Sequence, residues 1–231
     1  MSVTSTPELP PSNGSWFRCL LLVFLLANLH ASCTHQPWDI DRYIQSLERP
    51  ERDEYQQPGK VIEALNLKPG MIVADIGAGS GYFTRRLAEG VGHTGQVIAI
   101  DVEQKMLDYN RQELEKLWIV NRAKFILGKS DSPSLSEHSV DLVFLCDVYH
   151  HLKHHVDYLT RTKPALTPNG RVVIIDFYHD ERSGKLGFSK HHLVPREDVI
   201  ENMQQAGYTL SQEHTFLPRQ YFLEFVPNTG S

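Results

Sequence analysis

Cysteine is scarce in this chain: Cys19, Cys33 and Cys146 are the only three in 231 residues. They are too few for a disulfide scaffold and too far apart for a zinc knuckle. Positive charge is not in excess either, since 23 Lys and Arg face 28 Asp and Glu for a formal net charge of −5. That balance argues against a nucleic-acid binder working through a broad basic face. Long apolar runs are also missing. The longest, Leu20 to Leu29, is interrupted by Asn28 and makes a rod of roughly 15 Å, about half the hydrocarbon thickness of a bilayer. No internal repeat is visible. What remains is an ordinary globular composition, 41% hydrophobic, with enough chain for one well-buried domain and at most two.

The first 33 residues differ from the rest. Residues 2–15 are rich in Ser, Thr, Pro, Asn and Gly, and Arg18 then precedes the apolar run. A positive charge, a short apolar stretch and small residues make up the layout of a secretory signal. The small residues are Ala31 and Ser32, followed by Cys33, with His30 before them. That ending resembles the lipobox of bacterial lipoprotein signals, in which the cysteine is lipidated. Residues 1–33 are therefore expected to be a signal-like or membrane-anchoring segment, placing the protein outside the cytoplasm or on a membrane. The alternative is a cytoplasmic protein with an accessory helix at its N-terminus.

Residues 34–60 read as a polar extension broken by Pro37, Pro50 and Pro58, with a short helix over residues 39–47. From residue 61 the pattern changes. MIVADI (71–76), QVIAID (96–101), AKFIL (123–127), VDLVFL (140–145) and RVVIID (171–176) are short, rich in β-branched residues and nearly continuously apolar. Such runs suit parallel strands buried on both faces. Amphipathic stretches at 82–89, 103–117, about 153–166 and 196–206 separate or follow them, which predicts βαβ units. Residues 208–216 and 220–226 read as two strands joined by a turn. The expectation is an α/β, doubly wound, Rossmann-like sheet of about seven strands with a C-terminal antiparallel hairpin, carried by residues 61–231.

Asp75-Ile76-Gly77-Ala78-Gly79-Ser80-Gly81 lies between the first strand and the first helix of that sheet, where an open α/β fold forms its ligand crevice. The three glycines permit sharp turns and close approach of a ligand to the main chain. A dinucleotide fingerprint wants its third glycine three positions after the second. Here Tyr82 holds that position. The D-x-G-x-G-x-G spacing instead resembles motif I of the class I S-adenosylmethionine-dependent methyltransferases, and Cys146-Asp147-Val148-Tyr149-His150-His151 resembles motif IV of their ubiquinone/menaquinone-biosynthesis-type subgroup. Asp101, followed by Val102, ends the second strand, where a carboxylate can accept hydrogen bonds from both ribose hydroxyls.

The resemblance spans about residues 50–225 and implies S-adenosyl-L-methionine as cofactor. It assigns cofactor contacts to Asp75, Gly77, Ala78, Gly79, Gly81, Asp101 and Val102, and to Ser130 and Asp131 in the loop bracketing the adenine. Asp147, at the fourth strand's end, is expected to hold the cofactor's amino group or to orient an acceptor. Tyr55 is an aromatic that can lie over the cofactor. His150 and His151 follow the fourth strand beside the transferred methyl, and a neutral imidazole suits proton removal near pH 7. Tyr178, His179, His191 and His192 fall in the segment that caps the acceptor side. If residues 150–155 were helical, His150/His154 and His151/His155 would form i, i+4 pairs of metal-binding spacing. Without an obvious carboxylate or thiolate partner, no metal is expected.

The leading expectation is an enzyme moving a methyl group by in-line displacement to a small-molecule or lipid-like acceptor, with no nucleic-acid partner and with membrane attachment through the N-terminus. Two others stand beside it: a protein carboxyl methyltransferase of the isoaspartate type, because Gly79-Ser80-Gly81-Tyr82 with Thr84 resembles that family's loop, and a non-catalytic S-adenosylmethionine-binding module. S-adenosylmethionine is made in the cytoplasm, which stands in tension with an exported domain.

Overall fold

The computed structural model describes Met1, residues 39–186 and residues 189–228. The chain divides into two compact units, Met1–Asp39 and Ile40–Ser231. The signal-like stretch expected over residues 1–33 lies, apart from Met1, outside the described residues, as do residues 34–38. Among the described residues no helix is long and apolar enough to cross a membrane.

The second unit is built on a seven-stranded sheet. Its strands are β1 (Ile72–Ile76), β2 (Gln96–Asp101), β3 (Ala123–Leu127), β4 (Val140–Cys146), β5 (Leu166–Phe177), β6 (Tyr208–His214) and β7 (Gln220–Pro227), in the order β3-β2-β1-β4-β5-β7-β6. The first five run parallel, whereas β7 pairs antiparallel with both β5 and β6. The chain reverses direction around β1, which is where a doubly wound sheet opens its crevice at the carboxyl ends of the strands.

Alternation along each strand supplies both faces of the core. On β4, Val143 and Leu145 face Tyr158, Leu159, Val199 and Met203 of α6 (His155–Thr162) and α7 (Arg196–Gln205). Leu142 and Phe144 face the other way, toward Val61 and Leu65 at α3 (Pro58–Ala64) and Leu87 of α4 (Tyr82–Gly90). All four β4 side chains are essentially inaccessible, each worth roughly 1.5–3 kcal/mol in transfer from water. Local chemistry sets the helix starts. Pro58 opens α3 after the left-handed Gln57, and Glu197 and Asp198 place negative charge in the first turn of α7.

Two features depart from the sequence reading. The extension carries more helix than expected: α1 (Ile40–Leu47) is followed by α2 (Glu51–Gln56) and then α3. Pro50 ends one helix and serves as the N-cap of the next. The histidine-rich run is not one helix. Tyr149–His151 form a single 3₁₀ turn, His154 is left-handed, and α6 starts only at His155. The i, i+4 histidine pairs are thereby lost. α1 packs Ile40, Ile44 and Leu47 against Met106 and Tyr109 of α5 (Gln104–Lys116).

Candidate functional site

The loop from β1 to α4 is pinned at its base by main-chain bonds. Gly77 and Ala78 donate their N–H groups to the Ile100 carbonyl at 2.8 and 3.0 Å. Gly77 and Gly81 have φ of +71° and +86°, a left-handed backbone that side chains resist. Space forbids a side chain as well. A Cβ on Gly77 would lie 2.4 Å from Val148 Cγ2, and one on Gly81 2.1 Å from Asn110 Oδ1. Asp75 is buried behind the loop and accepts from Thr84 Oγ1 at 2.6 Å, while Asn110 Nδ2 donates to the same hydroxyl at 2.9 Å. Burial pushes the Asp75 carboxyl up to about 7, against the lowering effect of the Thr84 bond.

Asp101 reaches across from β2. Its two carboxylate oxygens accept from Gly79 N at 2.8 Å and Glu103 N at 2.9 Å. A carboxylate has about four lone-pair sites, so each oxygen keeps capacity for a hydroxyl donor. Val102 and Leu127, at the ends of β2 and β3, are 62% and 56% exposed. They can form apolar walls for a flat heteroaromatic ring. Ser130 and Asp131 are exposed at the tip of the neighbouring turn between Lys129 and Ser132. Ser80 Oγ is buried with no hydrogen-bond partner among the described residues, a donor held in reserve beside the glycines.

On the other side of the loop a buried polar chain links four elements. Arg52 Nε donates to Gln56 Oε1 at 2.8 Å, and Gln56 Nε2 donates to Gln220 Oε1 at 3.0 Å and lies 2.9 Å from Cys146 Sγ. Gln220 in turn donates to Asp147 Oδ1. The Arg52 guanidinium lies 3.9 Å over the Tyr82 ring and 3.7 Å from the Asp147 carboxylate. Burial pushes the Asp147 carboxyl up, opposed by the Arg52 charge. Arg52→Met is expected to lower stability by about 1–2 kcal/mol, because Asp147 loses its cation and Gln56 its donor. A urea titration of the two proteins measures it.

Tyr55 packs against Phe177, ring centroids 5.6 Å apart, beneath the Arg219 guanidinium at 4.8 Å. It therefore stands at the β5 end of the edge. Burial raises the phenol of Tyr43 on α1, and the charges of Asp147 and Asp101 add to it. Leu47 Cδ1 comes within 3.4 Å of where a Gly79 Cβ would be, so α1 crosses directly above the glycine loop.

His150 is the most constrained titratable group at this edge. Its Nδ1 lies 2.8 and 2.9 Å from the two oxygens of Asp176, and its main-chain N–H donates to Asp176 Oδ2 at 3.2 Å. Phe177 N also donates to Asp176 Oδ1, at 2.8 Å. The side chains of His150 and Asp176 are 3% and 1% exposed. Burial pulls the imidazole down, but the Asp176 bond and the charges of Asp176 and Asp147 outweigh it, so the net shift is upward. The His151 ring lies 4.0 Å from that of His150, and its own pKa is lowered by burial and by the His150 charge. His155 stacks on Tyr149 and turns Nε2 to that residue's carbonyl. Among the described residues no group of three His, Cys, Asp or Glu is arranged to hold a metal ion.

Of the residues singled out from the sequence, the glycine loop, Asp101, Val102, Asp147 and His150 gather along one carboxyl edge, the first three at one end and the last two at the other. Sequence reading missed Arg52, Gln56, Asp176 and Gln220. A signal for Asp176 was present, since β1, β2, β4 and β5 each carry an aspartate at or beside their last residue: Asp75, Asp101, Asp147 and Asp176. Arg52, Gln56 and Gln220 carried none, because their meeting depends on the tertiary course of the extension and the final hairpin.

Residues 67–213 match the model of a family described as a methyltransferase domain. A solved S-adenosylmethionine-dependent methyltransferase from Aquifex aeolicus superposes with a TM-score of 0.74 at 26% identity, covering 81% of this chain and 98% of that one. Curated relatives named ubiquinone/menaquinone biosynthesis C-methyltransferases include one from Ectopseudomonas mendocina, 28% identical over 50% of this chain and 45% of its own length. Another, from Psychromonas ingrahamii, is 22% identical over 74% of this chain and 69% of its own. The chain thus spans about half the length of several curated relatives it matches. It belongs to the methyltransferase domain family, within the class I S-adenosylmethionine-dependent methyltransferases, and the cofactor of that class is S-adenosyl-L-methionine. The residues present fit that cofactor: a loop whose turns exclude side chains, an orphaned Ser80 hydroxyl, a carboxylate with spare lone pairs and two bared aliphatic walls.

Proposed function

We propose that this protein transfers the methyl group of S-adenosylmethionine to a small-molecule or lipid-like acceptor by in-line displacement. The observation that carries the reading is Asp101, whose carboxylate anchors the glycine loop through Gly79 and still offers lone pairs to a ribose. Asp101 would take the ribose hydroxyls. Val102, Leu127, Ser130 and Asp131 would flank the adenine. Gly77 to Gly81 with Asp75 behind them, and Asp147 with Arg52, would hold the amino-acid end. The bound cofactor supplies an electrophilic methyl on a sulfonium. The protein's own part is to align the acceptor and keep water out, since displacement at a sulfonium is chiefly a matter of orientation. Tyr55, His150 and His151 stand where an acceptor would approach. The names of the curated relatives support a ring-bearing acceptor of lipid-like character. Neither the carboxyl-methylating alternative nor the non-catalytic one draws support from them.

Calorimetric titration of the full chain with S-adenosylmethionine and S-adenosylhomocysteine, with NAD as control, tests this. Micromolar binding of the first two and none of the third is the expected result. Folded protein that binds neither sulfur ligand would sink the reading.

We also propose export or membrane attachment, on the sequence of residues 1–33 alone. Mass spectrometry of protein produced in a bacterial host should find a mature chain beginning at a lipid-bearing Cys33. Intact Met1 in the soluble fraction would refute it.

A further inference from the structure

The helices α1 and α2 are consecutive in sequence but are held in opposite ways. α2 is locked. Its Arg52 and Gln56 are buried in the polar chain around Asp147. Tyr82 of α4 donates its hydroxyl to Asp53, and its ring centre lies 3.9 and 4.2 Å from the guanidiniums of Arg52 and Arg86.

α1 rests on far less. It is eight residues long, about 12 Å, and buries only Ile40 and Ile44, beside Met106 and Tyr109 of α5. A cleft of about 400 Å³, lined by Asp41, Ile44, Gln45, Glu48 and Tyr109, opens along the same seam. Glu48-Arg49-Pro50 joins α1 to α2, and a proline without an N–H cannot carry the hydrogen-bond ladder of one helix into the next. That link is a natural pivot. Arg52 Nη1 holds the pivot end through the Leu47 carbonyl at 3.0 Å.

One ion pair closes α1 down. Glu48 Oε2 accepts from Arg85 Nη2 at 2.7 Å, and Arg85 Nη1 also donates to the Ser80 carbonyl at 3.3 Å, so helix and glycine loop share one cation. The closure is imperfect. Glu48 Oε1 is buried with no hydrogen-bond partner among the described residues, a cost that opening to water would relieve. Beneath α1 lies the cofactor's place. Leu47 sits over Gly79, and Tyr43 feels the charges of both Asp147 and Asp101, the carboxylates at its two ends.

Resting on the methyltransferase reading, we propose that α1 is a lid over the cofactor, pivoting at Glu48–Pro50 and latched by Glu48 on Arg85, and that release of this latch sets how fast cofactor and product exchange. The latch closes the lid over an occupied and an empty site alike. Weakening it therefore speeds entry and exit together and leaves affinity nearly unchanged.

The test measures association and dissociation of S-adenosylhomocysteine on the surface-coupled full chain by plasmon resonance. Glu48→Gln should raise both rates about 3- to 10-fold, the worth of one partly buried ion pair, with affinity within about threefold of wild type. Arg85→Gln should do the same, and the double variant should add little to either, because the two residues act as one unit. Hydrogen exchange read by mass spectrometry supplies a second measurement. Residues 40–47 should exchange faster in Glu48→Gln while residues 51–64 keep their protection, and ligand should slow residues 40–47 in wild type. Rates within about twofold of wild type in both single variants overturn the proposal, as does weakened affinity with an unchanged association rate. Residues 40–47 exchanging no faster than 51–64 in Glu48→Gln also overturn it. Failure of S-adenosylhomocysteine to bind folded wild type overturns instead the methyltransferase reading beneath it.

Discussion

Asp101→Ala is expected to weaken S-adenosylhomocysteine binding on the order of 10²-fold, measured by calorimetry. Two effects combine. The carboxylate would no longer accept hydroxyl donors, and hydrogen bonds to charged groups are worth about 1.5–3 kcal/mol each. The Gly79 and Glu103 amides would also lose the acceptor that fixes the glycine loop and the start of α5 before ligand arrives. Part of the loss is thus ordering entropy transferred to the binding step. Asp101→Asn separates the two, because an amide oxygen can still accept from one main-chain N–H. It should lose about tenfold less than Ala. Affinity within twofold of wild type in the alanine variant would remove Asp101 from the site.

The second large effect concerns stability. Asp75 has its pKa pushed up to about 7 by burial, from an ordinary 3.8. Between those values the folded protein keeps a proton that the unfolded chain has released. The unfolded state then binds fewer protons, so the contribution of this group to stability falls as pH rises through that window, by up to about 1.4 kcal/mol per pH unit. Above pH 7 it levels off. Asp147, raised in the same direction, and His150, whose stabilising effect is present at low pH and lost as pH rises through its raised pKa, slope the same way. The difference between wild type and Asp75→Asn isolates the first group. Urea unfolding at pH 5 and pH 7.5 should show the variant gaining on wild type by about 2–3 kcal/mol at the higher pH. Parallel curves would mean that Asp75 is ionised in the folded state.

The fold was legible because its central strands are buried on both faces, so periodicity and β-branching were strong for β1, β2 and β4, whereas the edge strand β3, expected from AKFIL to be buried on both faces, has no buried residue. The ends were less so. Residues 166–170 extend β5 well upstream of the apolar RVVIID run, because Leu166 pairs with Val140 across a register shift that tertiary pairing alone supports. Glu51–Gln56 read as loop because Pro50 and Pro58 bracket it, yet a single turn and a half between two prolines is enough for a helix tethered by Arg52 and Gln56 to the core. The glycine loop and Asp101 were legible for a different reason: glycines forced by geometry and an acid at a strand end mark themselves. The polar chain around Asp147 depends on contacts such as Gln56 with Gln220, 164 residues apart. Nothing local in either sequence neighbourhood announces such a meeting.

The order in which the strands are laid down has a consequence for the protein's making. β7 is the last strand in sequence but sits inside the sheet, between β5 and β6. Until Gln220 and its successors leave the ribosome, β5 presents an unpaired edge over Val172–Phe177, four of whose six residues are Val or Ile. Such an edge is a template for pairing with other chains. A copy clipped or stalled short of residue 220 is therefore not a smaller enzyme. It is a sticky intermediate that also lacks Gln220, and its natural fate is aggregation or degradation.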